Sequence, residues 1–147
     1  MMTAQELRIE NLDDAAIRSV LARNCVGRVA YVKEGDVEIR PVHYVYQDGS
    51  IYGRTSPDAD ILQLPEGASK VVFEVDEIAS VFDWKSVIAK GHFEVLEANE
   101  DGSRDEAVEL LRRVFRNTFQ PGDPVPYRSV IFRIRIEQVT GRTSMRQ

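Results

Sequence analysis

The chain has 147 residues, the usual length of one domain, so we expect a single domain over residues 1–147. With 43% hydrophobic and 29% charged residues, it has enough apolar material for a core, which excludes a disordered chain. The formal net charge of −5 disfavours nucleic acid as a partner, because a phosphate backbone attracts basic surfaces.

Cysteine and histidine content limits the chemistry further. A single cysteine, Cys25, excludes an internal disulfide and suits a reducing compartment. With only two histidines beside it, a catalytic zinc site is not expected. The N-terminal segment lacks the apolar stretch of a signal peptide, and no apolar run approaches the roughly 20 residues that span a bilayer. We therefore expect a cytoplasmic protein with no metal and no membrane partner.

The first half of the chain is predicted to form one helix followed by an antiparallel meander of three strands. Helical spacing of apolar residues predicts a helix from Asp13 to Arg23, with Asn11 available as its cap. Turn signals at residues 35–36 and 48–49 then separate three β-rich runs. These predicted strands cover residues 27–32, 37–46 and 50–55.

The second half adds two helices and three strands. Ser56 and Pro57 are typical of a helix start, and the short helix would end before residue 65. Strands are predicted at 70–75, at 83–97 with a bulge at Gly91, and at 129–139. Between the last two, Ser103 and Glu106 have the spacing of a capping box before an apolar helical stripe. Six strands joined by short hairpins favour a closed or nearly closed antiparallel barrel.

The segment after the third strand has the features of a phosphate site. Arg54 can grip a phosphate through parallel hydrogen bonds, and Thr55 and Ser56 can donate further ones beside a helix start. The alternative is an exposed arginine next to an ordinary cap. Asp58 and Asp60 favour that alternative, because their carboxylates would repel a phosphate unless they point away.

Two other segments could contact a flat ligand. Pro41 inside the second strand implies an edge, a bulge or a strand margin. At a strand margin, open backbone groups can bond a planar ring. His43, two residues on, is either a half-buried structural histidine or a functional one. Trp84 either stacks on a cofactor or fills the core, and Ser86 lies on the same face of its strand.

Five segments of the chain, taken in sequence order, resemble those of a known family. They are VGRVAYV (26–32), RPVHYVYQDGSIYGRTS (40–56), VVFEVDEI (71–78), WKSVIAKGHFEVL (84–96) and IEQVTGR (136–142). The chain resembles the pyridoxamine 5′-phosphate oxidase-like FMN-binding split barrels, above all the small bacterial members related to nitroimidazole-resistance proteins.

The resemblance implies a six-stranded antiparallel split β-barrel, mainly β with flanking helices, that binds FMN at the interface of a homodimer. It implies that the flavin ring rests against the second strand and that the phosphate lies at the end of the third. The implied cofactor contacts are Arg40, Pro41, Val42, His43 and Tyr44 for the ring, Arg54, Thr55 and Ser56 for the phosphate, and Ser86 with Trp84 as a further contact.

The chain departs from the family at Asp60, where members usually carry a lysine in the turn after the third strand. The exchange of a cation for an anion could change phosphate binding by about 1–3 kcal/mol, unless Lys85 or Arg142 substitutes. The resemblance implies an FMN-dependent oxidoreductase acting on a small molecule, with no catalytic acid or base assigned. Alternatives are a flavin-binding module without turnover, or a relative that holds a deazaflavin or haem.

Overall fold

The computed structural model describes residues 6–65, 67, 69–98 and 101–146. Within these residues it contains eight strands, two α-helices and one 3₁₀ helix. In chain order they are β1 (Leu7–Asn11), α1 (Asp14–Arg23), β2 (Val26–Lys33), β3 (Asp36–His43), β4 (Val45–Gln47), β5 (Ser50–Thr55), the 3₁₀ helix (Asp60–Gln63), β6 (Lys70–Ser80), β7 (Asp83–Val95), α2 (Ser103–Val114) and β8 (Val130–Arg146).

All six predicted strands are present, and the count of six was too low by two. The predicted strand 37–46 is divided at Tyr44 into β3 and β4, which lie at different places in the sheet. The other addition is β1, which pairs with the C-terminal half of β8. Its five residues are all exposed, and only Leu7 and Ile9 alternate with polar neighbours, which is too short a pattern to predict a strand.

The strands form one antiparallel sheet in the order β3-β2-β6-β7-β8-β5-β4. The two ends of this order, β3 and β4, are consecutive in the chain and joined by Tyr44 alone. The sheet must therefore curl until its edges meet at that residue, while the rest of the two edges diverge. This arrangement confirms the predicted antiparallel split barrel. The sheet is open, whereas the strand pattern favoured a closed or nearly closed barrel.

The barrel core lies inside the curled sheet. Phe73, Val87 and Ile134 have no measurable exposure, and α1 closes one end by burying Val20 and Leu21. At β7 the register shifts between Lys90 and Gly91, which confirms the predicted bulge. A side chain at position 91 would collide with the backbone of β8, so the bend requires glycine.

A second apolar cluster lies outside the barrel, under α2. It contains Leu96, Ala107, Val108, Leu111 and Ile131, with Phe115 and Phe119 packed against it. This cluster positions the loop from residue 115 to 128 beside the open end of the sheet. No helix of the described chain is both long and apolar enough to cross a bilayer.

Two predicted caps were wrong. α1 is capped by Asp13, whose Oδ1 accepts a hydrogen bond from the Ala16 amide at 2.8 Å, whereas Asn11 ends β1. α2 begins at Ser103 itself, and the residue before it is Gly102, which has a φ of 86° and, as a glycine, no side chain that could cap the helix. Both helices nevertheless begin within one residue of their predicted starts, and only the capping residue differs.

The predicted helix after Ser56 is shorter than expected. Only the four-residue 3₁₀ helix Asp60–Gln63 forms, with Ala59 rather than Ser56 before it. Ser56 and Pro57 instead begin a turn, in which the Ala59 amide donates to the Ser56 carbonyl at 3.0 Å. The helix start that was expected directly beside Arg54 is therefore missing from this corner.

Candidate functional site

A cleft of about 470 Å³ opens where the two sheet edges diverge. β4 pairs only with the first three residues of β5, which end at Tyr52. The last residues of β5 therefore extend beyond β4 toward β3. β3 pairs with β2 along one edge, and no strand of the described chain covers its other edge. We call this space the flavin cleft, after the ligand that the resemblance implies. Its lining comprises Arg40, Pro41, Val42, Arg54, Thr55, Ser56, Asp58, Ala59, Asp60, Ile61, Val29, Tyr31, Phe93, Arg128 and Phe132.

The floor of the flavin cleft is apolar and aromatic. Val29 and Phe132 are each 1% exposed, and Phe93 stacks on Phe132 with ring centroids 5.1 Å apart and planes 28° apart. Pro41 and Val42 supply the facing edge from β3. A flat apolar floor with open strand backbone on one side suits a planar ring with polar edges.

Arg54, the predicted phosphate ligand, is engaged by the protein itself. Its Nη1 and Nη2 donate to the two oxygens of Asp123 at 3.2 and 2.8 Å. Nε donates to the Arg128 carbonyl at 2.8 Å, and Nη2 also donates to the Val125 carbonyl at 3.0 Å. Four of the five N–H groups of the guanidinium are thus used.

The Arg54–Asp123 pair is buried, with side chains only 8% and 4% exposed. The hydrogen bonds from Arg54, together with the backbone amides of Val125 and Phe119, hold the pKa of Asp123 far below its usual range. The guanidinium also lies 4.4 Å above the Phe119 ring. The pair therefore fastens the 115–128 loop to the end of β5.

Asp60 is also held by protein groups. It accepts hydrogen bonds from the Tyr31 hydroxyl and, at 3.4 Å, from Arg40 Nη2. The Tyr31 hydrogen bond and the charge of Arg40 lower the pKa of Asp60. Burial and the same hydrogen bond raise the pKa of Tyr31 to about 12. Asp60 therefore stays ionised at neutral pH and lines the cleft as an anion.

Arg128 is a site residue that sequence reasoning missed. It lines the flavin cleft, and no carboxylate of the described residues lies within 4.0 Å of its guanidinium. Thr55 of β5 pairs with Val130 of β8, which brings the residues just before β8 beside the hydroxyls of Thr55 and Ser56. The sequence showed only an arginine at the end of a Pro/Gly loop, and the pairing of β5 with β8 was not predicted.

Six of the ten predicted site residues come together in the flavin cleft, namely Arg40, Pro41, Val42, Arg54, Thr55 and Ser56. Lys85 and Arg142, the suggested substitute cations, do not line it. Lys85 of β7 pairs with Thr143 of β8, and Arg142 of β8 pairs with Ser86 of β7, away from the cleft.

The other four predicted residues lie elsewhere in the chain. His43 faces a second cleft and contacts Phe115, with ring centroids 5.3 Å apart. Tyr44 is fully buried, and its hydroxyl donates to the Leu21 carbonyl at 2.8 Å, so its side chain belongs to the core. Trp84 and Ser86 lie on the far part of β7. Ser86 is seven residues, or about 23 Å of strand, from Phe93 in the flavin cleft.

Comparison with known proteins decides the family. A family model described as pyridoxamine 5′-phosphate oxidase matches residues 13–143. The chain belongs to the pyridoxamine 5′-phosphate oxidase family. This confirms the resemblance that the sequence segments carry.

Solved structures of similar proteins agree with this family. A FAD-binding protein of Mesorhizobium loti is 30% identical to the chain, with a TM-score of 0.74 over 92% of this chain and 97% of that one. A candidate 5-nitroimidazole antibiotic resistance protein of Bacteroides thetaiotaomicron is 16% identical, with a TM-score of 0.74 over 97% and 91% of the two chains, and shows the shared fold. An uncharacterized protein of Rhizobium meliloti (strain 1021) is 26% identical over 137 residues, 86% of this chain and 89% of that protein.

Proposed function

We propose that this member of the pyridoxamine 5′-phosphate oxidase family is a flavoprotein that binds FMN, or the FMN part of a larger flavin, in the flavin cleft. The observation that carries the proposal is the cleft's composition. An aromatic floor and an open strand edge lie at one end. At the other lie two hydroxyls and an arginine, Arg128, that has no carboxylate within 4.0 Å among the described residues. The name of the Mesorhizobium loti protein, a FAD-binding protein, supports a flavin ligand.

The residues present fit a ring joined to a phosphate, with one change from the sequence prediction. Arg128, Thr55 and Ser56 together offer a cation and two hydroxyl donors, which is the donor set a phosphate requires. Arg54 has one N–H group left, so we assign it the indirect role of holding Arg128 in place through the Arg128 carbonyl. Asp58 and Asp60 weaken this fit by placing anions in the same cleft.

We further propose that the bound flavin makes the protein an oxidoreductase for a small molecule. The isoalloxazine ring supplies the redox chemistry when bound, as it accepts and returns electrons. The chain's own contribution is to place the ring: the open edge of β3 offers backbone groups to it, and Phe93 and Phe132 exclude water from one face. Tyr31 keeps its proton at neutral pH, because its pKa is raised to about 12.

We propose that the protein is a homodimer, since Trp84 and Ser86 are too far along β7 to reach the flavin cleft of their own chain. The hairpin that carries them exposes apolar side chains: Ile78, which pairs with Trp84, is 69% exposed, and Val81 in the turn is 78% exposed. Such neighbours favour burial by another copy. If so, Ile78→Asp should yield a monomer in light scattering where the parent chain is a dimer. A parent chain that is itself monomeric would refute the dimer.

Titration of the purified protein with FMN, followed by flavin fluorescence, tests the binding proposal. Arg128→Ala should weaken FMN binding at least tenfold, since a hydrogen bond to a charged group contributes about 1.5–3 kcal/mol. Arg18→Ala is the matched control, because Arg18 is exposed on α1 and lines neither cleft. A parent chain that takes up no flavin at all would contradict the proposal.

Turnover needs a separate measurement. A nicotinamide cofactor added without air should bleach the flavin absorbance of the loaded protein if the chain is an oxidoreductase. Bound flavin that stays yellow with each nicotinamide cofactor would favour the module without turnover. Deazaflavin and haem belong in the same binding panel, and preferential binding of either would replace FMN in the proposal.

A further inference from the structure

A second cleft, of about 370 Å³, lies next to the flavin cleft and plays no part in the proposed function. It is bounded by the end of β3, the last turn of α2 and the 115–128 loop. Arg54 and Arg128 line both clefts, so the two spaces meet at these side chains. We call it the loop cleft.

The loop cleft has an aromatic wall and an apolar base. His43 is exposed, and its ring meets that of Phe115 at 5.3 Å with an interplanar angle of 52°. Leu111 lies fully buried at the base, and Pro124 and Val125 face it from the loop. An apolar slot beside an aromatic wall suits a flat heteroaromatic group, because such rings stack with little dependence on their substituents.

The boundary between the clefts carries the charge that a linking group requires. The charge of Arg54 is neutralised by Asp123. The other arginine at the boundary is Arg128, whose guanidinium has no carboxylate within 4.0 Å in the described part of the chain. A ligand with a ring in each cleft would pass its middle over Arg128. A pyrophosphate at that point would meet a guanidinium, which binds phosphate oxygens in pairs.

We propose that the loop cleft receives the adenosine half of a flavin dinucleotide, with adenine against His43 and Phe115 and the pyrophosphate at Arg128. This inference rests on the proposed function, since it takes the FMN half to lie in the flavin cleft. It makes FAD the preferred cofactor over FMN and gives His43 an adenine contact instead of the flavin contact that the resemblance implied.

The test compares dissociation constants for FAD and FMN on the full chain by fluorescence titration. We expect FAD to bind at least tenfold more tightly than FMN, and adenosine to weaken FAD binding without displacing FMN. His43→Ala should weaken FAD binding about tenfold and change FMN binding less than twofold. Asn117→Trp, which fills the cleft from its exposed rim, should do the same and serves if the histidine variant folds poorly.

Equal affinities of the parent chain for FAD and FMN would overturn the inference and leave the proposed function intact. So would a loss of affinity for both flavins in His43→Ala, which would instead place His43 against the flavin ring. Failure of the parent chain to bind either flavin would refute the proposed function itself, so the two failures are distinguishable.

Discussion

Two arginine–aspartate pairs lie at the flavin cleft, and they differ in burial. Arg54 and Asp123 are 8% and 4% exposed and share two hydrogen bonds. The side chains of Arg40 and Asp60 are 51% and 27% exposed, and one contact of 3.4 Å joins them. The sequence prediction treated both arginines alike, as direct contacts of one ligand.

The difference shows that an arginine on a cleft wall does not necessarily have a charge that is available to a ligand. A buried charge is costly unless it is paired, so the protein satisfies Arg54 with its own carboxylate and carbonyls. An exposed pair such as Arg40–Asp60 is screened by water and can rearrange around a ligand. We therefore regard the first pair as structural support and the second as part of the adjustable cleft surface.

The largest expected effect is on stability at the buried pair. Arg54→Gln leaves Asp123 buried without its cation and should lower the midpoint of thermal unfolding by roughly 10 °C. The double variant Arg54→Gln/Asp123→Asn removes both charges and should regain at least half of that loss. Differential scanning fluorimetry of the three proteins measures both shifts.

The same double variant separates structural support from direct phosphate contact. If Arg54 acts only by holding the loop, the double variant should bind FMN within about fivefold of the parent chain, as judged by fluorescence titration. A loss of a hundredfold in a folded double variant would instead make Arg54 a phosphate ligand, and the contrast between the two pairs would fail.

Acid should weaken the molecule through the buried pair. The pKa of Asp123 in the folded chain lies below its ordinary value of about 3.9, so its contribution to stability is complete above that value. The contribution is lost as the pH falls through the folded-state pKa. Unfolding midpoints measured downward from about pH 5 should therefore fall more steeply for the parent chain than for the double variant. Parallel curves for the two proteins would contradict this.

A smaller effect is expected on affinity at the second pair. Asp60→Asn removes an anion from the cleft lining yet keeps an oxygen that can accept from Tyr31, so FMN binding should tighten about threefold to tenfold. Asp36→Asn, an exposed change of equal charge outside both clefts, is the control. Weaker binding in the Asp60 variant would show that its carboxylate positions the ligand instead of repelling it.

The smallest expected effect is on stability at the second pair. Arg40→Gln should shift the unfolding midpoint by less than about 2 °C, because exposed ion pairs contribute little. Scanning fluorimetry beside Arg54→Gln gives the direct comparison. Equal losses in the two variants would remove the distinction between supporting and adjustable pairs.

The local elements, and the segments that form the cleft, could be predicted from the order of residues in the chain. Alternating apolar residues and hairpin turns predicted six strands, since side-chain burial on a strand follows period two within a few residues. Pro41 indicated a strand edge, and it lies in the edge strand β3. Arg54, Thr55 and Ser56 were singled out as one group, and they share one wall of the cleft. These features depend on neighbours in the chain.

Which charges remain available to a ligand could be seen only in the folded chain. Arg54 and Asp123 are 69 positions apart, and Arg128 reaches the cleft because β8 pairs with β5 in one particular register. Tyr44 belongs to the core because the two sheet edges meet at that residue. Burial and ion pairing depend on contacts between distant segments, and the local pattern of residue types does not encode which segments will meet.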